Sequence, residues 1–284
     1  MMTGRLVAAR FATSGAENRR TYKRDSKGRF GSGSGGDVPD TPPVRELLHG
    51  TAEAKDGAMR AVYEGQFGRY ETKVTRTGGR DGQMFVEGTI HNSRGREVGR
   101  FSRSIEVGDD GKVYAHHGNM ELDGRVQGSG FASEFNGHAV DWYRQSGVDI
   151  VYLDAHNIGK YAWASQGFNF GSRQDTQYHL DELHDHVEAI RSGSGKSKYG
   201  EAIPRKLRGA KDLDAQLDAA DHLIERAGRT KYGEPDYPTA YEISQIGRSS
   251  GQGRSDQWLG KQFMLTGPTW QGFLQLSGGD DGNG

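Results

Sequence analysis

The chain has 284 residues, 33% of them hydrophobic, with 44 glycines, no cysteine and a formal net charge of −1. These figures exclude a disulfide framework, a thiol nucleophile and a chain-wide polycation shaped for nucleic acid. They allow one modest hydrophobic core, with flexible ends and long polar connections around it. No apolar run is long enough to cross a bilayer, so no membrane contact is expected, and the short apolar stretch from Leu6 to Ala9 is too brief and too basic for a secretory signal.

Residues 1–31 carry the basic side chains Arg5, Arg10, Arg19, Arg20, Lys23, Arg24, Lys27 and Arg29 against only Glu17 and Asp25. With the following Gly/Ser run, this segment reads as a disordered basic arm and linker over 1–43, suited to non-specific contact with nucleic acid or an acidic protein surface. Pro39, Pro42 and Pro43 mark the start of the folded part, and a short helix is predicted from Val44 to His49. Residues 70–77, 84–92, 98–107 and 112–122 then read as strands, joined by Ser93-Arg94-Gly95-Arg96 and Gly108-Asp109-Asp110-Gly111. Tight turns between consecutive strands predict an antiparallel meander.

The period changes at Phe131. Phe131, Phe135, Ala139, Trp142 and Tyr143 fall on one face of a helix, and Gly147 is suited to end it. Residues 148–153 form an apolar run that predicts a strand buried on both faces. A strand, helix and strand of these lengths close as a parallel unit. A second helix is predicted over 158–165, and Phe168 and Phe170 start a further strand. Beyond Gly171 the pattern is polar and helical, over 176–191 and 212–227. From Pro238 the chain carries Ile243, Trp258, Phe263, Trp270 and other large apolar groups that should dock on the core. The predicted division is 1–43 arm, 44–172 central domain, 173–276 helical extension and 277–284 flexible tail.

The strand-to-helix turn reads Arg125-Val126-Gln127-Gly128-Ser129-Gly130-Phe131-Ala132. Two glycines permit positive φ and close backbone approach, and the helix N-terminus behind them suits a pyrophosphate. The alternative is a tight connection with no ligand. In its context of meander, helix, strand, short helix and Gly167-Phe168, the turn resembles the GNAT superfamily of acyl-CoA-dependent N-acyltransferases over about residues 84–170. The resemblance implies an α/β fold with a mixed, mostly antiparallel sheet and one parallel strand–helix–strand splice. It implies acetyl-CoA or another acyl-CoA as cofactor, with Arg125, Gln127, Gly128, Ser129, Gly130, Phe131 and Ala132 at the pyrophosphate. Met120 and Leu122 would pair with the pantetheine arm, and Asn157 would lie before the short helix that flanks the thioester.

Where that family often has a tyrosine acid this chain has Trp163, leaving Tyr161 on another side of the helix as the candidate acid. Glu121 is the candidate base, with His116 and His117 as alternatives; a carboxylate on a strand edge and packed histidines are the plainer account of all three. The loop at 78–83 is too short for the two helices that the family usually carries between its first strands.

A second resemblance rests on Lys23-Arg-Asp-Ser-Lys-Gly-Arg-Phe30, Gly159-Lys-Tyr-Ala-Trp-Ala-Ser-Gln-Gly-Phe168, Pro238-Thr-Ala-Tyr-Glu-Ile-Ser244 and Trp258-Leu-Gly-Lys261. These stretches are similar to actinobacterial phage head and head-maturation proteins that carry GNAT-like modules. The resemblance implies a phage-encoded protein that contacts head or capsid proteins and resides in the virion or the host cytoplasm. It also admits a non-catalytic role, because a fold can be kept as a binding module.

Two further motifs point elsewhere. Ser192-Gly-Ser-Gly-Lys-Ser197 imitates a phosphate loop but follows a helix and lacks the first glycine. His179, Glu182 and His186 share helical spacing that could hold a metal, against the reading of a solvated helix face with Leu180, Leu183 and Val187 inward. No metal is assigned.

Overall fold

The computed structural model describes residues 38–194, 212–249 and 256–276, together with Lys196, Lys198, Leu207 and Gln252. The basic arm, the final residues from 277, and Gly195 and Ser197 of the phosphate-loop mimic lie outside these. The described chain forms two compact units, one taking in residues 38–153 and 274–276, the other 154–273. The fold class is α/β, with a mixed and mostly antiparallel sheet.

In the first unit, α1 (Val44–Leu48) and α2 (Ala52–Tyr63) precede the strands. Sequence reasoning finds α1 and misses α2. The helix is opened by Thr51, whose side chain accepts from the Ala54 N–H, a regular N-cap. Its buried residues Lys55, Ala58, Met59, Val62 and Tyr63 recur at helical spacing, but two of the five are Ala and Lys, so the apolar signal is dilute.

Strands β1 (Gly65–Phe67), β2 (Tyr70–Gly78), β3 (Gln83–His91), β4 (Glu97–Val107) and β5 (Val113–Leu122) form an antiparallel meander. Helix α3 (Phe131–Ser146) follows β5 and ends at Gly147, which is left-handed at φ 86°. β6 (Ile150–Ala155) then pairs with β5 in parallel, with Tyr114 opposite Ile150 and His117 opposite Leu153.

The prediction that this strand is buried on both faces is wrong in one respect. Tyr152 is 37% exposed, and it stacks on Tyr114 and His116 rather than under a covering helix.

The core of this unit is aromatic. Phe135, fully buried, lies 4.8 Å from Phe101, 5.1 Å from Phe67 and 5.8 Å from Tyr63, measured between ring centroids. Inclined pairs of this kind add about 0.5–1.5 kcal/mol each beyond area burial, and they fix α3 over the meander. Trp142 Nε1 also donates to Thr41 Oγ1 at 2.7 Å, which ties the segment before α1 to the same helix.

The second unit contains α4 (Gly159–Ala164), β7 (Asn169–Phe170), α5 (Arg173–Arg191), α6 (Leu213–Arg229), α7 (Ala240–Gln245) and α8 (Leu259–Thr266). β8 (Trp270–Gln275) pairs antiparallel with β7 through Asn169–Phe273 and Phe170–Gly272.

Along α5, Leu180, Leu183 and Val187 are buried as expected, but His179, Glu182 and His186 are buried too, at 3%, 5% and 4% exposure. The solvated-face reading of these three is therefore corrected: His179 stacks on Phe170, His186 meets Phe263 edge-on, and Glu182 pairs with Lys198. Among the described residues no group of three His, Asp or Glu side chains is arranged to hold a metal. No helix among them is long and apolar enough to cross a membrane.

Candidate functional site

The loop between β5 and α3 is folded on its own backbone. The N–H groups of Val126 and Gln127 both bond to the Asp123 carbonyl, at 2.8 and 3.2 Å, and Ser129 N–H bonds to the Val126 carbonyl at 3.0 Å. Val126 is the buried anchor at 4% exposure. Gln127 Nε2 donates to the Leu122 carbonyl at 3.0 Å, closing the loop against the strand end.

Gly128 and Gly130 then take φ of 75° and 97°, which only glycine adopts without strain. Gly130 is the N-cap of α3 and has no side chain to cap the helix, while Ser129 Oγ accepts from the Phe131 N–H at 3.4 Å. The first intrahelical bond is Glu134 N–H to the Gly130 carbonyl, at 3.1 Å. The amides of the first turn, with the positive end of a 16-residue helix behind them, form a cradle for an anion.

The strand end beside the loop presents Met120, Glu121 and Leu122 opposite Phe101, Arg100 and Gly99. Glu121 is exposed, and its Oε1 accepts from Asn119 Nδ2 at 2.8 Å. It lines a groove of about 320 Å3 with Glu97, Gly99, Arg100, Leu122 and Asp123. Gly99 is required by close approach, since a Cβ there would strike the Glu121 carbonyl oxygen. Arg125 lines a neighbouring cavity of about 250 Å3, whose lining also includes Val98 and Asp123.

Beneath this strand end lies a feature that sequence reasoning does not find. The β4–β5 register shifts between Phe101 and Arg103, and the Arg103 guanidinium, 2% exposed, holds the irregularity. Its Nη1 donates to the carbonyls of Ser102 (2.7 Å) and Asn119 (3.2 Å), and Nη2 to Asn136 Oδ1 on α3 (3.0 Å). The bulge, the strand end and the cradle helix are thereby tied by one side chain.

The alternative bases stand differently. His117 is buried, and burial followed by the nearby Arg103 charge pushes its pKa well below the ordinary imidazole value. It is neutral at pH 7 and closed off from substrate. His116 is half-buried, with Nε2 3.2 Å from Glu106 Oε1.

The structure therefore places Met120, Glu121, Leu122, Arg125, Gln127, Gly128, Ser129, Gly130, Phe131 and Ala132 on one strand–loop–helix segment of the first unit. Asn157 and Tyr161 belong to the second unit. Asn157 is exposed and left-handed at φ 49° in the turn before α4. Tyr161 is half-buried, its ring 5.9 Å from Trp258 and 5.7 Å from Lys261 Nζ. Trp163 is buried, edge-on to Phe168 at 5.1 Å.

No protein-family model matches the chain, and no curated protein matches it. Among solved structures, Arabidopsis thaliana Naa50 in complex with a CoA-containing bisubstrate analogue is similar over 30% of this chain, at 16% identity and a TM-score of 0.27. A Trypanosoma brucei acetyltransferase is similar over 32%, at 22% identity and a TM-score of 0.27. A nourseothricin acetyltransferase is similar over 41% of this chain and 80% of its own, at 14% identity and the same TM-score. The similar part spans 58% and 66% of the first two proteins, less than two thirds of each.

Proposed function

We propose that this chain binds acetyl-CoA or another acyl-CoA at the β5–α3 junction and uses it for N-acyl transfer. The observation that carries the proposal is the start of α3 at a glycine N-cap, in a loop with two left-handed glycines, at the end of a strand that also presents a carboxylate. The neutral amide cradle suits a pyrophosphate, whose charge the helix dipole favours. A bound acyl-CoA supplies an activated thioester. Glu121 takes the proton from an incoming amine, and its position at the groove gives the amine access without burying the carboxylate. The CoA thiolate leaves into the open groove, where water supplies its proton.

Calorimetry with acetyl-CoA on the purified chain tests the binding step. Saturable binding that weakens at least tenfold in Gly128→Asp, which sets a carboxylate on the cradle, is the expected result. No heat of binding at millimolar acetyl-CoA removes the proposal.

A second reading is favoured by Trp163, which occupies the expected acid position and packs on Phe168. In this reading the chain is a phage head-associated protein that keeps the fold for binding or assembly, its basic arm meeting capsid proteins or, without sequence preference, nucleic acid. A fixed copy number in purified particles, with no acetyl transfer to amine acceptors, is its expected signature.

A further inference from the structure

Three basic side chains on the meander strands are matched by acids: Lys73 meets Glu71, Arg76 meets Glu87 and Arg100 meets Glu97. The cavity of about 250 Å3 between the β3–β4 turn and the β5–α3 loop has an excess of basic groups. Its lining holds Arg69, Arg94, Arg96 and Arg125 against a single carboxylate, Asp123. Asp123 is engaged by Arg96 at 2.8 Å. Arg69 donates to the Tyr70 hydroxyl at 3.1 Å and lies over its ring. Arg94 and Arg125 have no ion-pair partner among the described residues.

The arginines of the turn are held in place. Asn92 Oδ1 accepts from the N–H groups of Arg94 and Arg96, at 2.9 and 3.1 Å, and Gly95 closes the turn at φ 73°. The floor is apolar: Tyr70, Val98 and Val126 are each 4–5% exposed. A concave site with excess positive charge concentrates anions, and guanidinium forks match phosphate oxygens better than any other side chain.

We propose that this cavity is a phosphomonoester site, with Arg94 and Arg125 gripping the phosphate and the apolar floor under the group that carries it. The site is distinct in kind from the amide cradle, which is neutral backbone, so either can fail without the other. Two sources offer this chemistry: the 3′-phosphate of a CoA, which would extend the acyl-CoA reading, and a separate phosphate-bearing ligand, which would not need it.

The test titrates inorganic phosphate into the full chain at low ionic strength, where exposed charges are least screened, and follows the arginine side-chain Nε signals by NMR. Saturable shifts of Arg94 and Arg125 are expected, and in the double variant Arg94→Gln/Arg125→Gln the remaining lining arginines, Arg69 and Arg96, should show no saturable shift. Calorimetry then compares CoA with 3′-dephospho-CoA. A tenfold preference for CoA that the double variant abolishes assigns the site to the cofactor. Saturable phosphate shifts with equal binding of the two cofactors assign it to a separate ligand. Saturable phosphate shifts with no CoA binding at all remove the acyl-CoA reading and leave this site standing. The inference is overturned by two results: no saturable arginine shift at millimolar phosphate with equal cofactor affinities, or a preference for CoA that survives the double variant.

Discussion

Arg103 has no carboxylate against it among the described residues, although it is almost wholly buried. Burial lowers the pKa of its guanidinium, and the charge is tolerated because two carbonyls and an amide oxygen accept from it. Arg103→Ala should therefore cost about 3 kcal/mol, read as a lower urea midpoint, because it empties a core position and removes the link to Asn136 Oδ1 on α3. A loss under about 1 kcal/mol would show that the bulge does not depend on the guanidinium. Gly99→Ala should cost about 1–3 kcal/mol by forcing β4 from the Glu121 carbonyl, with denaturant titration as the check. The loop residues from Arg125 to Ala132 were legible because glycines at a strand-to-helix change are a local signal. Arg103 was not, since one buried arginine among 37 basic residues looks like any other until strand pairing places it under α3. Arg69 and Arg94 were hidden for the same reason: their cavity is formed by residues far apart in the sequence.

Local and long-range forces separate cleanly in α7 and α8. Thr239 opens α7 with a reciprocal capping box: its hydroxyl accepts from Glu242 N–H while Glu242 bonds back to Thr239 N–H. Thr239→Ala should cost about 1 kcal/mol. Gly260, in the first turn of α8, sits where any Cβ would meet the Ile243 carbonyl oxygen and the Ile246 amide. Neither backbone can yield, so Gly260→Ala should cost at least 2–3 kcal/mol. Urea unfolding of both variants beside the parent checks the ranking; equal losses would mean that the helices do not approach as described. Most strands and helices were readable because each has its own period and its own turn residues. Helix α2 escaped because alanine and the stem of Lys55 supply much of its buried face. The burial of His179 and His186 escaped because the inner face of α5 is wider than its leucines mark.

At the scale of the molecule, four histidines among the described residues are buried: His117 and His138 in the first unit, His179 and His186 in the second. For His117, His179 and His186 burial is the first cause of a lowered pKa, that of His186 falling to about 4. A depressed histidine pKa means that the unfolded chain binds more protons than the folded one. The stabilising contribution is complete above the ordinary value near 6.5 and is lost as pH falls towards 4. For His186 alone the span corresponds to about 3 kcal/mol as an upper bound. Unfolding free energy should thus fall from pH 7 to pH 4.5, and His186→Gln should flatten that slope by up to one proton. An unchanged slope would mean that His186 titrates as in water.

The sequence by itself determined the α/β class, the meander and its turns, and the glycine-bearing loop before α3, because each is written in neighbouring residues. Only the tertiary structure decided which polar groups are buried, where the arginines gather, and that Tyr161 and Asn157 fall in a different compact unit from Glu121. Those outcomes depend on strand pairing and helix packing between residues distant in the chain, and no local pattern encodes them.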